Sequence, residues 1–313
     1  MENNHSSSHL KTVLENVRNA GWIRLDHFSC FRITGVDAES FLHGQFTNDV
    51  LSLQPGHASL NGYCNPKGRL LATFWLGKTA DESYLIFLPA VIAETTVRRL
   101  KMFVMRAKVV IEPVAGGVLA GASDDPCKDQ HQVALNHSSE SALFLRVSEA
   151  RTETDVSGET LWRELDILSG IGMVYSETVE SFIPQMINLD LAEGVNFSKG
   201  CYPGQEIVAR LRYLGKLKQR AVCARIRTPD DAAVISGDAV TLVADASKKS
   251  GEIIDAVSTG QLEDGELEWV ALAMVPSTHI AEGSIFVSGH VMERIDLPYE
   301  ITVEKPKGRV KVT

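Results

Sequence analysis

Apolar residues change their period several times along this chain, and those changes mark out its elements. Cys30-Phe31-Arg32-Ile33 alternates as a strand does and breaks at Gly35. Residues 38–46 follow with Phe41, Leu42 and Phe46 on one helical face. The runs 59–64 and 70–76 flank Asn65-Pro66-Lys67-Gly68, a turn signature, so they predict a hairpin, and a further strand is predicted at 84–88. Over 90–105, Ile92, Thr96, Leu100, Phe103 and Val104 share a helical face, with Arg98, Arg99 and Lys101 on the solvated side. Short strands are expected at 109–111 and 118–122, a polar, turn-rich surface loop at 123–141, and a strand at 143–147. A helix over 159–168 sets Leu161, Leu165 and Leu168 on one face and ends at Gly170 and Gly172. This order, without long parallel βαβ runs, predicts an α+β body, and duplication into two similar halves is a further expectation.

From about Lys218 the texture changes to short alternating runs at 221–226, 240–244, 251–257, 269–274 and 284–287. Turn residues separate them, as in a small antiparallel β-barrel or sandwich. Two domains are therefore expected, 1–215 and 216–313, with a short basic tail at 305–313.

Composition narrows the function class. The chain has 313 residues, is 44% hydrophobic and carries a net charge of −9, which argues against non-specific coating of nucleic acid or anionic membrane. No signal peptide and no apolar run near 18 residues is evident, so a cytoplasmic protein is expected. Five cysteines, Cys30, Cys64, Cys127, Cys201 and Cys223, never fall at C-x-x-C spacing, and no H-E-x-x-H occurs, so neither a disulfide framework nor an intrinsic metal site is expected. His43 and His57 read as surface or structural residues.

The segment Lys199-Gly200-Cys201-Tyr202-Pro203-Gly204-Gln205-Glu206 stands apart, because it brackets a thiol with glycines ahead of a helical pattern at Ile207, Leu211 and Leu214. Pro203 fits the first helical position, with Gln205 and Glu206 in the first turn. Amides at that end, and Lys199, would favour the thiolate over a free thiol of pKa about 8.5. The competing reading is a buried, inert cysteine, which is the expectation for Cys30, Cys64, Cys127 and Cys223. Gln205 and Glu206 serve equally as capping residues, Tyr202 as a packing residue, and Trp162 as core.

The K-G-C-Y-P-G-Q-E segment resembles the signature of the YgfZ family of folate-binding proteins, relatives of the glycine-cleavage T-protein. The resemblance extends over most of the chain: Gly44-Gln45-Phe46-Thr47-Asn48-Asp49-Val50 is similar to the family's G-Q-x-T-x-D-V. Ile183-Pro184-Gln185, Asn188-Leu189 and Val195-Asn196-Phe197 resemble its approach to the cysteine, and Ala209-Arg210, Gly215 and Lys218-Gln219-Arg220 its exit. The resemblance implies a folate-binding body followed by a barrel. It also implies a role in assembling or repairing iron-sulfur clusters in client enzymes, including a radical enzyme that modifies tRNA. The ligand would be tetrahydrofolate or a one-carbon derivative. Cys201 would be the reactive thiol, and Phe28, Trp162, Lys199, Tyr202, Gln205, Glu206 and Arg210 the folate-side residues.

Departures separate the family from its enzymatic cousin. Where the T-protein has paired aspartates after its N-x-x-G turn, this chain has Ala72-Thr73, and where it has a pterin-gripping acid, this chain has Leu168. Without those charges a folate-dependent aminomethyltransferase, the alternative reading, lacks support for developing charge. Phe28 replaces one of two tryptophans that YgfZ relatives place near folate, and Trp162 matches the other. Finally, Arg210, Arg212, Lys216, Lys218, Arg220, Arg225 and Arg227 form a basic run with no acid among them. It would suit a folate carboxylate tail, a phosphate-bearing partner or an acidic client, whereas no RNA-binding module accompanies it.

Overall fold

The structure is a computed structural model and describes residues 4–122, 132–135, 143–148, 156–213, 215, 217–229, 232–242, 248–280, 285–287 and 289–301. Cys127, Leu214, Lys216, the 305–313 tail and most of the expected 123–141 loop lie outside these residues. The first elements are α1 (Asn4–Ala20), β1 (Ile23–Arg24), β2 (Phe28–Thr34), α2 (Ala38–His43), β3 (His57–Cys64), β4 (Leu70–Lys78), β5 (Tyr84–Pro89) and α3 (Ala90–Val104). Then come β6 (Val110–Pro113), β7 (Gly117–Ala122), β8 (Gln132–Leu135), β9 (Leu143–Ser148), β10 (Val156–Ser157), α4 (Glu159–Leu168) and α5 (Gln205–Tyr213). The last strands are β11 (Gln219–Thr228), β12 (Ala239–Leu242), β13 (Gly251–Gln261), β14 (Leu267–Pro276), β15 (Ile285–Val287) and β16 (His290–Ile295).

Ten strands form one sheet in the order β10-β1-β7-β9-β8-β3-β4-β5-β2-β6, and β3 meets β8 in parallel at its middle. β4 reads as a continuous apolar run because residues 70–77 are buried on both faces, as a central strand requires. β8 corrects the expectation of a loop throughout 123–141: Val133 and Leu135 bury their side chains, and the strand pairs with β9. α1 and β16 are further additions. The α1 apolar face includes Leu10, Val13, Leu14 and Val17, too brief to stand out in sequence, and it is stabilised by packing on α4.

The six strands after α5 close into a barrel, β11-β14-β13-β12-β15-β16, with β11 pairing β16 to complete the ring. Alternation along β11 divides its side chains between two cores. Val222, Ala224 and Ile226 join the barrel's own cluster, while Ala221 and Cys223 face the cluster that includes Trp162, Leu165 and Leu168 of α4.

Residues 169–204 connect α4 to α5 with only two short 3-10 turns, Ser176–Thr178 and Pro184–Ile187, yet much of the segment is buried. Distant side chains supply its hydrogen bonds. Thr73 Oγ1 accepts from Val174 N at 2.8 Å, Thr47 Oγ1 donates to Gly194 O at 2.7 Å, and Asn188 Nδ2 donates to Ala221 O at 2.9 Å. Arg220 Nη1 and Nη2 hold both Asp190 oxygens at 2.5 and 3.0 Å, and Nη1 also reaches Gln185 O. Arg220→Leu strands a carboxylate whose side chain is 2% exposed, so it should cost about 3–5 kcal/mol in urea unfolding. Arg225→Leu, which breaks the more open pair with Glu268, should cost about 1 kcal/mol or less. Equal losses would contradict this account.

Candidate functional site

The structure gathers the sequence-predicted residues into two groups. The first is the cysteine loop. Cys201 is exposed and free, whereas Cys30, Cys64 and Cys223 are buried and burial pushes all three thiols up, Cys64 and Cys223 to about 12. The expected helix start is corrected here: α5 begins at Gln205, so Pro203 is not its first residue, and Cys201 lies in the loop four residues ahead. Gly204 explains the delay. Its φ of +81° is left-handed, and a Cβ there would stand 2.5 Å from Asn65 O and 2.6 Å from Gly68 Cα. The loop thus packs backbone to backbone on the Asn65–Gly68 turn of the β3–β4 hairpin.

Lys199 fixes the other side. Its ammonium donates to His43 O at 2.5 Å and Phe46 O at 2.6 Å, carbonyls at and just beyond the end of α2, and lies 5.2 Å from the Tyr202 ring centroid. The cation therefore serves as a cap for α2 and an anchor for the loop. Burial draws its pKa down to about 8. Tyr202 is buried beneath it, and burial raises its phenol. Gln205 Nε2 reaches back to Lys199 O at 3.4 Å, while Glu206 and Arg210 are exposed on α5.

His43, expected to be structural, comes to this loop. Its Nε2 lies 3.4 Å from where a Cβ on Gly200 would be, and its Nδ1 lies 3.3 Å from Asp49 Oδ1. Sequence could not pair residues 43 and 201, because the elements from β3 to α4 intervene. A histidine just before the G-Q-x-T-x-D-V segment was the available signal.

The second group surrounds Phe28 and Trp162. Phe28 is 6% exposed at the start of β2 and meets the His27 ring at 4.6 Å, and Trp162 is wholly enclosed in the core, with no open face for stacking. Neither His27 ring nitrogen has a hydrogen-bond partner. Burial, and behind it Arg163, holds its pKa down at about 3. Arg163 Nη2 binds Asp255 Oδ1 at 2.5 Å and Ala256 O at 2.8 Å, and Tyr175 donates to Asp255 Oδ2 at 3.0 Å. Burial pushes the Asp255 carboxyl up, and Arg163 opposes that. This network joins α4 to β13, and sequence reading missed it because its members are about 90 residues apart.

Part of the expected basic run is drawn inward: Arg220 is withdrawn onto Asp190 and Arg225 pairs with Glu268, while Arg212, over Phe197 at 5.3 Å, stays exposed together with Arg210, Lys218 and Arg227.

No family model matches the chain. An uncharacterized protein of Haemophilus influenzae is 29% identical over 285 residues, which cover 90% of this chain and 99% of that protein. The tRNA-modifying protein YgfZ of Aliivibrio fischeri is 28% identical over 303 residues, covering 90% and 92%. The crystal structure of glycine cleavage system aminomethyltransferase T from Bartonella henselae matches with a TM-score of 0.67 over 91% of this chain and 88% of its own, at 16% identity, a likeness of fold. These findings support a YgfZ-like chain with a T-protein-like fold.

In this YgfZ-like chain the positions that resemble the T-protein's acids carry no carboxylate. Ala72 and Thr73 are fully buried, Thr73 is engaged with Val174, and Leu168 is 2% exposed in the core. Among the described residues no helix is long and apolar enough to cross a membrane.

Two expectations follow from the geometry. Gly204→Ala forces a side chain into left-handed backbone and against Asn65 O, and should cost about 1–3 kcal/mol in thermal or urea unfolding. His27 binds its proton less readily folded than unfolded, so stability should fall as pH drops from about 6.5 toward 3, by up to about 1.4 kcal/mol per unit. His27→Phe should flatten that slope relative to the parent, and an unchanged slope would show that His27 is not the group responsible.

Proposed function

We propose that this chain is a tetrahydrofolate-binding accessory protein for iron-sulfur cluster assembly or repair in client enzymes, tRNA-modifying ones included, with Cys201 as its reactive thiol. The observation that carries the reading is an exposed thiol on an anchored loop, in a T-protein-like fold that lacks the acids aminomethyl transfer would use. Relatives named tRNA-modifying protein YgfZ support the client class. One cysteine does not hold a cluster, which takes about four ligands, so the thiol acts on a partner's cluster, iron or sulfur.

For the folate, the fit rests on His27 and Phe28: two buried ring nitrogens without partners beside an aromatic ring suit a planar, hydrogen-bonding ligand. Trp162 and Leu168 are enclosed and do not contribute in this conformation. Arg210 is exposed on α5 and would meet the ligand's carboxylate tail, or a client, through solvent. The body, 1–215, is read as a duplicated unit, supported by the two five-stranded halves that meet at β3 and β8, and 216–313 as the barrel domain. A cytoplasmic location fits clients of this kind.

Calorimetry with tetrahydrofolate should show binding to the wild type and to Cys201→Ala alike, while Cys201→Ala lowers client-enzyme activity in cells several-fold. Wild-type client activity in the mutant would remove the thiol from the function. Absence of folate binding would remove the ligand, and methylenetetrahydrofolate formation by the purified protein would establish the transferase instead.

A further inference from the structure

His43 is an ionisable side chain that the fold brings to the cysteine loop from another part of the chain. Two restraints aim it. Its backbone carbonyl accepts from Lys199, the residue two before Cys201, and its ring passes beside Gly200, the residue immediately before Cys201. Gly200 leaves room for that approach: a Cβ there would lie 3.4 Å from Nε2, in ordinary contact, with Cδ2 at 3.8 Å. The opposite nitrogen, Nδ1, faces the Asp49 carboxylate at 3.3 Å, a charge contact rather than an aligned hydrogen bond. A ring with a carboxylate behind one nitrogen and a cysteine loop at the other is the arrangement by which an imidazole takes a proton from a nucleophile.

Other charges around the ring agree with that direction of transfer. Burial, and after it Lys199, hold His43 below its ordinary pKa, while Asp49 and Glu39 oppose them. Glu39 is itself tied to Lys78 and Tyr84 at 2.8 Å each. Near neutral pH the ring is therefore unprotonated and able to accept, and Asp49 is placed to stabilise the imidazolium once formed.

We infer that His43, backed by Asp49, is the proton acceptor that activates Cys201. As the thiol sulfur forms its bond to an electrophile, the leaving group departs with the bonding pair and the thiol proton passes to His43 Nε2. This inference rests on the reading of Cys201 as the reactive thiol, and it adds the base which that reading left unassigned.

The test uses the purified full chain and iodoacetamide, with alkylation followed by mass spectrometry on the peptide that carries Cys201, so that other thiols do not enter. The reaction forms the sulfur–carbon bond and releases iodide. Wild-type protein should react at about pH 6.5, where the neutral imidazole accepts the proton as the sulfur–carbon bond forms, and its rate should rise less steeply toward pH 9 than that of a variant lacking the imidazole. His43→Gln should react more slowly there, on the order of tenfold, the change in thiolate carried by one pH unit, and approach the wild-type rate near pH 9. That variant keeps the carbonyl that Lys199 grips, and unchanged circular dichroism and melting would confirm an intact fold. Asp49→Asn, which retains an oxygen for the Leu51 amide, should fall between the two. If the His43→Gln profile overlays the wild type, the role of His43 is overturned. If Cys201 fails to react in the wild type at every pH, the thiol reading itself is overturned. Neither outcome depends on folate or on a client enzyme.

Discussion

A buried connector without regular structure is the constraint on which this molecule depends. Residues 169–204 run between sheet, hairpin and barrel, where water is largely excluded, and a backbone in that position must find hydrogen-bond partners or lose stability for each orphaned group. Helix or strand would supply them locally. Here Thr47, Thr73 and Arg220, from far along the chain, satisfy connector groups, and the connector's own Asn188 ties it to the barrel. Every one of these bonds closes a long loop, so the connector's path forms together with the tertiary fold.

The cysteine loop inherits its geometry from that path. By the time the chain reaches Lys199 it has been laid beside the end of α2, where two carbonyls await a donor, and the ammonium takes both. Gly204 then brings the backbone against the Asn65–Gly68 turn more closely than any side chain allows. With both ends held, Cys201 remains exposed on an ordered turn. Lys199 is half-buried and Tyr202 buried, both structural in their contacts, while Cys201, Glu206 and Arg210 face solvent, where a partner can reach them.

The Phe28 region works by a different balance. His27 is kept neutral by burial with both nitrogens unpartnered, beside an ion pair whose carboxylate, Asp255, comes from the barrel and whose cation, Arg163, comes from α4. Unpaired polar atoms in a core are costly, and a ligand that supplies hydrogen bonds there recovers part of that cost.

Local pattern alone determined a good deal. The β3–β4 hairpin, α3, α4 and five of the barrel's six strands were legible because period and turn residues act between near neighbours, and the cysteine loop stood out because its glycine-bracketed motif is contiguous. Other features were not. β8 lacked a readable pattern because four residues in a polar stretch become a strand only by pairing with β9 and β3. The start of α5 moved from Pro203 to Gln205 because the conformation of Gly204 is set by the hairpin turn it touches. The basic run dispersed because side chains on one strand point alternately to different surroundings, so that Arg220 entered a buried pair while Arg227 stayed in solvent. His43 shows the same limit most plainly. Sequence singled out the cysteine loop, but which side chain stands beside it was decided by how the connector crosses the end of α2, a contact between residues 156 positions apart.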